Sequence, residues 1–489
     1  MSVDSQGLPA APPAPGRREE GTADSPPQLR RTLSVVGLTA FGIGSIIGTG
    51  IFVLTGTAAA NQAGPALVLS FVIAGCSCAL VALCYAELSA MIPVSGSAYS
   101  YAHAAFGEIL AWFIGWNLVL EYTFSVATVS VGWSGYVASL LAQFGLHLPY
   151  ALAQAPFDRG AGSFAIVTTG AWVNVPAVLI VAAIATLCYV GIRESAGANT
   201  IIVACKIAVI VLFILAGVSY IHPGNWHPFI PPNTGHFGQF GWSGVVAGAG
   251  VIVFSYIGFD TISTCAQEAK RPERDMPLSI IASLAICSVL YMATVVVLTG
   301  MVSYRDLNVA APVALALDKY RGLRWLGVPV KLGAILGMTS TMLVMTVGQA
   351  RIFMSMARDG LLPPWFSRIH PRFKTPANGT WVTGLAAAII GGLLPVRILG
   401  ELVSIGTLLA FITVCVGVLY LRRARPDLPR PFRVPWPRFV CIGGALACSA
   451  MILALPRDTW IRLFAWTAIG FLIYGFYGRR SSRQRRQSL

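Results

Sequence analysis

The sequence predicts an all-α integral membrane protein of about twelve transmembrane helices, the first and sixth of them broken near their middles. Three observations carry this prediction. Hydrophobic residues make up 56% of the chain and charged residues only 11%, with a mean hydropathy of +0.71, more apolar surface than a water-soluble core can hide. Apolar stretches of about 20 residues, the length needed to cross a bilayer, recur from one end of the chain to the other. Two of them are too rich in glycine at the middle to run as continuous helices: Phe41-Gly-Ile-Gly-Ser-Ile-Ile-Gly-Thr-Gly-Ile-Phe52 and Gly248-Ala-Gly-Val-Ile-Val-Phe-Ser-Tyr-Ile-Gly-Phe-Asp260. Glycine costs a helix interior about 1 kcal/mol relative to alanine, and bare backbone within a bilayer is tolerated only where it lines a cavity.

In chain order, residues 1–31 contain Pro9-Ala-Ala-Pro-Pro-Ala-Pro15 and Ser25-Pro-Pro27 and no apolar run, which predicts a disordered tail rather than a signal peptide. Residues 32–221 are expected to form a first repeat of five helices, near Val35–Thr57, Ala66–Ile92, Ile109–Leu140, Trp172–Gly191 and Thr200–Tyr220. Residues 222–422 hold a second five, near Gly244–Ala266, Leu278–Val302, Val328–Met356, Trp381–Leu394 and Val403–Leu421. Two further helices, near Val440–Leu455 and Trp460–Tyr477, fill residues 423–478, and residues 479–489 form a basic tail. The broken segments recur after five helices, the pattern of two halves inserted with opposite orientation. Such halves place a site at the membrane midplane, where half-helix N-termini offer N–H groups to an anion and half-helix C-termini offer carbonyls to a cation. A zwitterion such as an amino acid suits that pairing. The alternative is that the glycines only let helices pack closely, as Gly-x-x-x-Gly does.

The net charge of +15 does not indicate nucleic acid, because the basic residues are spread along the loops rather than gathered in one stripe. They indicate orientation instead. With both termini cytoplasmic, the inside holds Arg30, Arg31, Arg193, Lys270, Arg271, Arg274, Arg351, Arg358, Arg422, Arg423 and the final arginines. The outside keeps Arg159, Arg305, Lys319, Arg321 and a few others. All ten cysteines fall inside hydrophobic segments and predict no disulfide framework. His222, His227 and His236 lack the spacing of a tetrahedral zinc site, and Asn378-Gly-Thr380 lies in a loop placed on the cytoplasmic side.

The string from Gly42 to Phe52 closely resembles the first-span signature of the amino acid, polyamine and organocation (APC) transporter superfamily, whose fold is LeuT-like. Tyr85-Ala-Glu-Leu88, Pro93-Val-Ser-Gly-Ser-Ala-Tyr99, Gly115-Trp-Asn-Leu-Val-Leu-Glu-Tyr122 and Phe254-Ser-Tyr-Ile-Gly-Phe-Asp260 are similar to its cationic amino acid transporter branch. So are Glu268-Ala-Lys-Arg-Pro-Glu-Arg-Asp-Met-Pro277 and the run from Gly348 to Pro363. Together they span roughly Arg31 to Leu421, and about twelve spans rather than the fourteen of the animal members resemble a bacterial, inner-membrane type.

The resemblance implies a secondary active transporter of L-amino acids, cationic (arginine, lysine or ornithine) or broad in specificity, with protons as the coupling ion, no sodium and no cofactor. An exchanger and a non-transporting sensor of the same fold are the alternatives, and a small membrane subunit or a dimer is a conceivable partner. Backbone N–H groups of Thr49 and Gly50 would meet the substrate carboxylate, with a carbonyl at Ile46. Carbonyls of Phe254, Ser255 and Tyr256 would meet its amino group, with Ile257 beside its side chain. Phe254 is a gate candidate, against an ordinary packing aromatic.

Lys206 stands mid-span, where a charge costs about 3 kcal/mol on insertion scales, so it is a functional candidate by default. The resemblance implies that it reaches the first break and fills the place of sodium; snorkelling to the interface is the alternative. Glu121 is the matching acid, a proton relay or an attractor of a cationic side chain, against a structural hydrogen bond. Asp260 reads as a brace for the second break. Glu87, Glu268 and Arg351, with Asp359 close by, are candidates for an inner gate of opposite charges, against simple solvated loops. Met338, Met342 and Met345 suggest a pliant apolar pocket that favours neutral substrates. No pore ring, catalytic motif or metal-ligand motif stands out, which argues against a channel or an enzyme.

Overall fold

The computed structural model describes residues 33–94, 96–159, 166–191 and 196–478; the two tails and Arg193 lie outside them. The chain enters through α1 (Val35–Ile46), capped by the Ser34 hydroxyl, which accepts from the Gly37 amide. It stops at Ile47, whose backbone turns extended (ψ 96°), and winds up again from Gly50 through α2 (Thr55–Ala58) to Ala63. α3 (Leu67–Met91), the short α4 (Ser97–Phe106) and the long α5 (Glu108–Gln143) follow. A surface loop holds α6 (Tyr150–Ala153) and a small hairpin of β1 (Phe157–Arg159) and β2 (Ile166–Thr168). Then come α7 (Val175–Val190) and α8 (Ala196–Gly217).

The second broken segment begins with α9 (Gly241–Ile252) and tightens into a 3-10 turn at Val253–Tyr256. It is extended at Ile257 (φ −58°, ψ 135°), takes φ +123° at Gly258 and resumes as a 3-10 turn from Asp260 to Glu268. α10 (Pro272–Met301), α11 (Pro312–Lys319), α12 (Arg324–Arg358), α13 (Ala377–Leu393), α14 (Val396–Ala424), α15 (Pro437–Leu453) and α16 (Arg457–Ile473) complete the chain.

Among the described residues, eight stretches are long and apolar enough to cross a membrane, and three apolar helices of 10–17 residues accompany them. Large apolar side chains such as Leu179, Leu215, Leu385 and Leu446 stand exposed on the outside of the bundle, at 63–69% of their surface. In water that belt would be an aggregation surface; in a bilayer it meets lipid. The protein is an all-α integral membrane protein.

Both expected breaks are present, and the structure extends the sequence reading at two places. The first broken segment runs on to Ala63, beyond the expected Thr57, and the connections after the second and seventh expected spans form the helices α4 and α11. Both are amphipathic and short, 10 and 8 residues, so neither registers as a membrane-length run.

The two breaks touch. A Cβ on Gly50 would collide with the backbone of Ser255, and one on Gly258 would collide with the backbone of Ser45 and Ile46. Glycine at these positions is what lets the two main chains approach, and at Gly258 it also permits the positive φ. The start of α1 meets the end of the second segment as well: Leu33 N donates to Glu268 O at 3.0 Å and Lys270 N to Leu33 O at 2.9 Å.

Candidate functional site: a closed cavity between two helix breaks

A helix end leaves its last carbonyls without intrahelical partners. At the end of α1 those carbonyls are taken by side chains from three other helices. Lys206 Nζ, from α8, donates to Gly44 O at 2.7 Å and to Ile47 O at 3.0 Å. The Thr341 hydroxyl, from α12, donates toward the same two oxygens at 3.1 and 3.0 Å, and Tyr291, from α10, donates to Ile46 O at 2.8 Å. Lys206 is 1% exposed, so it is not a snorkelling residue. Its ammonium sits at the negative end of the α1 dipole, where a cation is favoured. Among the described residues its acceptors are these backbone oxygens, and no carboxylate is one of them.

The second break is held locally. The Ile257 amide donates to Phe254 O at 3.2 Å, and the Gly258 amide donates to Asp260 Oδ1 at 3.1 Å. Tyr122, from α5, donates to Asp260 Oδ2 at 3.0 Å, so Asp260 braces the bend as expected.

Where the breaks meet lies a cavity of about 10 Å³, room for roughly one water. The first break contributes Ser45, Ile46, Gly48, Thr49 and Gly50, and the second contributes Phe254 and Ile257. Ser125 and Val129 of α5 and Thr341 and Met345 of α12 close the other walls. The hydroxyls of Ser45, Thr49 and Ser125 are buried and have no hydrogen-bond partner among the described residues. Unpaired buried hydroxyls are costly to keep, and three around one cavity mark a place built to receive a polar ligand. The N–H groups that begin the helical turn at Gly50 add donors there, as any helix N-terminus does. Phe254, 6% exposed, forms part of the wall, and the other residues that line the cavity are buried as well.

Five of the seven expected binding residues therefore line the cavity: Ile46, Thr49, Gly50, Phe254 and Ile257. Ser255 packs behind Gly50, and Tyr256 turns its hydroxyl away to Phe71 O at 3.1 Å. Ser45, Ser125, Val129 and Thr341 were not singled out by sequence reasoning; Ser125 could have been found as the residue one turn from Glu121 on α5. Of the three methionines, only Met345 reaches the cavity, and Met338 and Met342 are buried elsewhere.

Glu121 lies one turn of α5 from Ser125, is 1% exposed, and its Oε1 has no hydrogen-bond partner among the described residues. Asp260 and Thr407 are its polar neighbours. The expected cluster of Glu87, Glu268 and Arg351 divides in two. Arg351 Nη2 donates to Glu268 Oε1 at 2.6 Å and Nη1 to Cys265 Sγ at 3.3 Å. Glu87 is not in that group: it accepts from Arg422 Nε at 2.9 Å and from the Val434 amide at 2.7 Å, with Arg430 Nε at 3.7 Å. It ties α3 to the end of α14 and the connection after it, because a carboxylate buried to 1% needs full compensation and Arg422 and Arg430 supply it from there. Asp359 accepts from the Tyr99 hydroxyl.

The amino acid permease family profile matches residues 33–474. The chain is 46% identical to the methylthioribose transporter of Bacillus subtilis over 93% of this chain and 95% of that protein. It is 44% identical to the branched-chain amino acid permease BcaP of the same organism, over 93% and 94%. Cationic amino acid transporter 4 of Arabidopsis thaliana, vacuolar, is 40% identical over 83% of this chain and 65% of its own length. Likeness along nearly the whole chain, together with two facing helix breaks and a lysine on the first, places this protein in the amino acid permease family of the APC superfamily.

Proposed function

We propose that this permease is a secondary active transporter that carries L-amino acids across a bacterial cytoplasmic membrane by alternating access, in symport with protons and without sodium. The observation that carries the reading is the closed cavity bounded by both breaks, with the Lys206 ammonium seated on the carbonyl end of the first. Cavity walls of main chain and small hydroxyls suit the carboxylate and amino group common to all amino acids. Phe254 lines the cavity, and in this reading its movement would connect it to one side of the membrane.

Lys206 supports proton coupling on charge grounds. A sodium ion bound at the same carbonyls would meet a fixed ammonium about a contact distance away, at low dielectric. Loss of the lysine proton would remove the charge that holds Gly44 O and Ile47 O, loosening the α1 end. Proton transfer and opening of the first break would then be one event.

The architecture behind this reading has twelve spans in two inverted halves of five plus two. Counting the 57-residue stretch Val35–Met91 as two spans and adding the three shorter apolar helices to the other seven supports twelve. We assign residues 32–221 and 222–422 to the two halves, 423–478 to the extra pair, and both termini to the cytoplasm. Ile46, Val129, Phe254, Ile257 and Met345 give the cavity lining its apolar part, which suits small or branched apolar side chains. Relatives named for branched-chain and for cationic amino acids support a broad specificity.

Uptake of labelled leucine and labelled arginine into proteoliposomes tests the proposal, with an inward proton gradient, no sodium, and Lys206→Ala beside the wild type. Gradient-driven accumulation that the variant loses is the expected result. Uptake only into liposomes preloaded with amino acid would replace symport by exchange, and binding without flux would replace transport by sensing.

A further inference from the structure

Gln349 is fully buried, at 0% exposure, and neither its Oε1 nor its Nε2 has a hydrogen-bond partner among the described residues. A primary amide offers two donors and two acceptor positions, and leaving all of them empty inside a helix bundle is expensive. Its position is fixed by how α12 packs on α5. The two helices run antiparallel: Lys331 Nζ reaches Ser139 O at 3.5 Å and Gln143 Oε1 at 3.1 Å, and Trp133 Nε1 donates to Thr339 Oγ1 at 3.0 Å. Farther along, Gly348 lies against the Tyr122 ring and Gly115 against Met356. In that register Met345 is level with Ser125, both in the cavity wall, and Gln349 is level with Glu121.

Each of the two lies one turn, about 5.4 Å, beyond its cavity neighbour on the same helix stripe. Glu121 also keeps an unpartnered Oε1. A second layer of unsatisfied buried polar groups thus lies one turn past Ser125 and Met345, toward the face that carries Arg351 and Glu268.

We infer that Gln349 is a specificity-determining residue: with Glu121 it takes the polar tip of a long substrate side chain, an ammonium or guanidinium, that extends past Ser125 and Met345. The inference rests on the transport reading above. Short and branched apolar side chains end in the first layer and never meet Gln349, whereas long ones with a polar tip reach the second. The two layers give one site for both kinds of substrate.

The test begins with the wild type in proteoliposomes. Uptake of labelled leucine is competed with 2,4-diaminobutyrate, ornithine and lysine, and in parallel with norvaline and norleucine. Affinity in the cationic series should rise by about tenfold from the shortest to the longest, and the apolar series should show no such rise. In Gln349→Leu the cationic rise should vanish, while the KM for leucine stays within about twofold of wild type. A flat cationic series in the wild type overturns the inference, and needs no variant to fold. So does a Gln349→Leu that shifts the leucine and lysine KM by the same factor, which is what a purely structural amide would give. Absence of uptake of every amino acid by the wild type would instead overturn the transport reading itself.

Discussion

At the first break the carbonyls of Gly44 and Ile47 are held by Lys206 and Thr341, between 159 and 297 residues away in the chain, whereas at the second the Gly258 amide is held by Asp260, two residues on. Both breaks rely on glycine, and both bound the same cavity. The difference lies in what could undo each. A local turn whose amide is held two residues away depends less on distant helices, though Tyr122 of α5 supports its brace Asp260. A helix end whose carbonyls depend on one ammonium from another helix is conditional on that charge and on the packing that delivers it. The first break is therefore suited to be the switch and the second to be the fixed wall.

The comparison can be broken most forcefully at the contact between the two. Gly258→Ala adds a Cβ to a residue at φ +123°, against the backbone of Ser45 and Ile46. It should cost about 3 kcal/mol and abolish uptake, read by thermal stability in detergent and by flux in proteoliposomes. Lys206→Ala comes next. It removes two charge-assisted hydrogen bonds to the first break and should lower gradient-driven uptake by roughly 100-fold, while the second break keeps its shape. If the protein tolerates Lys206→Ala with uptake intact, the first break is no more conditional than the second.

Asp260→Asn sharpens the other half. The amide can still accept from the Gly258 N–H, but its nitrogen cannot accept from Tyr122, so a loss of about 1–2 kcal/mol in stability with proton coupling unchanged is expected. A change in the pH dependence of uptake in this variant would contradict a purely bracing role. The smallest effect belongs to Glu268→Gln. The Glu268 and Arg351 side chains are 22% and 20% exposed, and such a pair contributes about 0.5–1 kcal/mol. The sensitive readout is Cys265, which accepts from Arg351 and is 1% exposed; its rate of alkylation should rise if the pair closes that face.

The two breaks were legible in residues 41–52 and 248–260, because glycines clustered inside an apolar span have few explanations other than a break or a tight contact, and the family was legible as a resemblance of those strings and of motifs along the chain. Lys206 was legible for a similar reason: a charge within a span must be used or escape. Glu87 was not. Its sequence neighbourhood resembles that of the gate pair, yet its partners Arg422 and Arg430 come from the last turn of α14 and the connection after it, and no local pattern records that meeting.

By itself the sequence determined the solvent this protein needs, the spans that meet it and the two places where a helix cannot continue, since hydropathy and backbone freedom are local properties of residues. The tertiary structure decided which side chains satisfy the carbonyls of the first break, which hydroxyls face the cavity without partners, and that α12 packs on α5 with Gly348 against Tyr122. Those are facts about register between helices far apart in the chain, and register is set only when the helices pack.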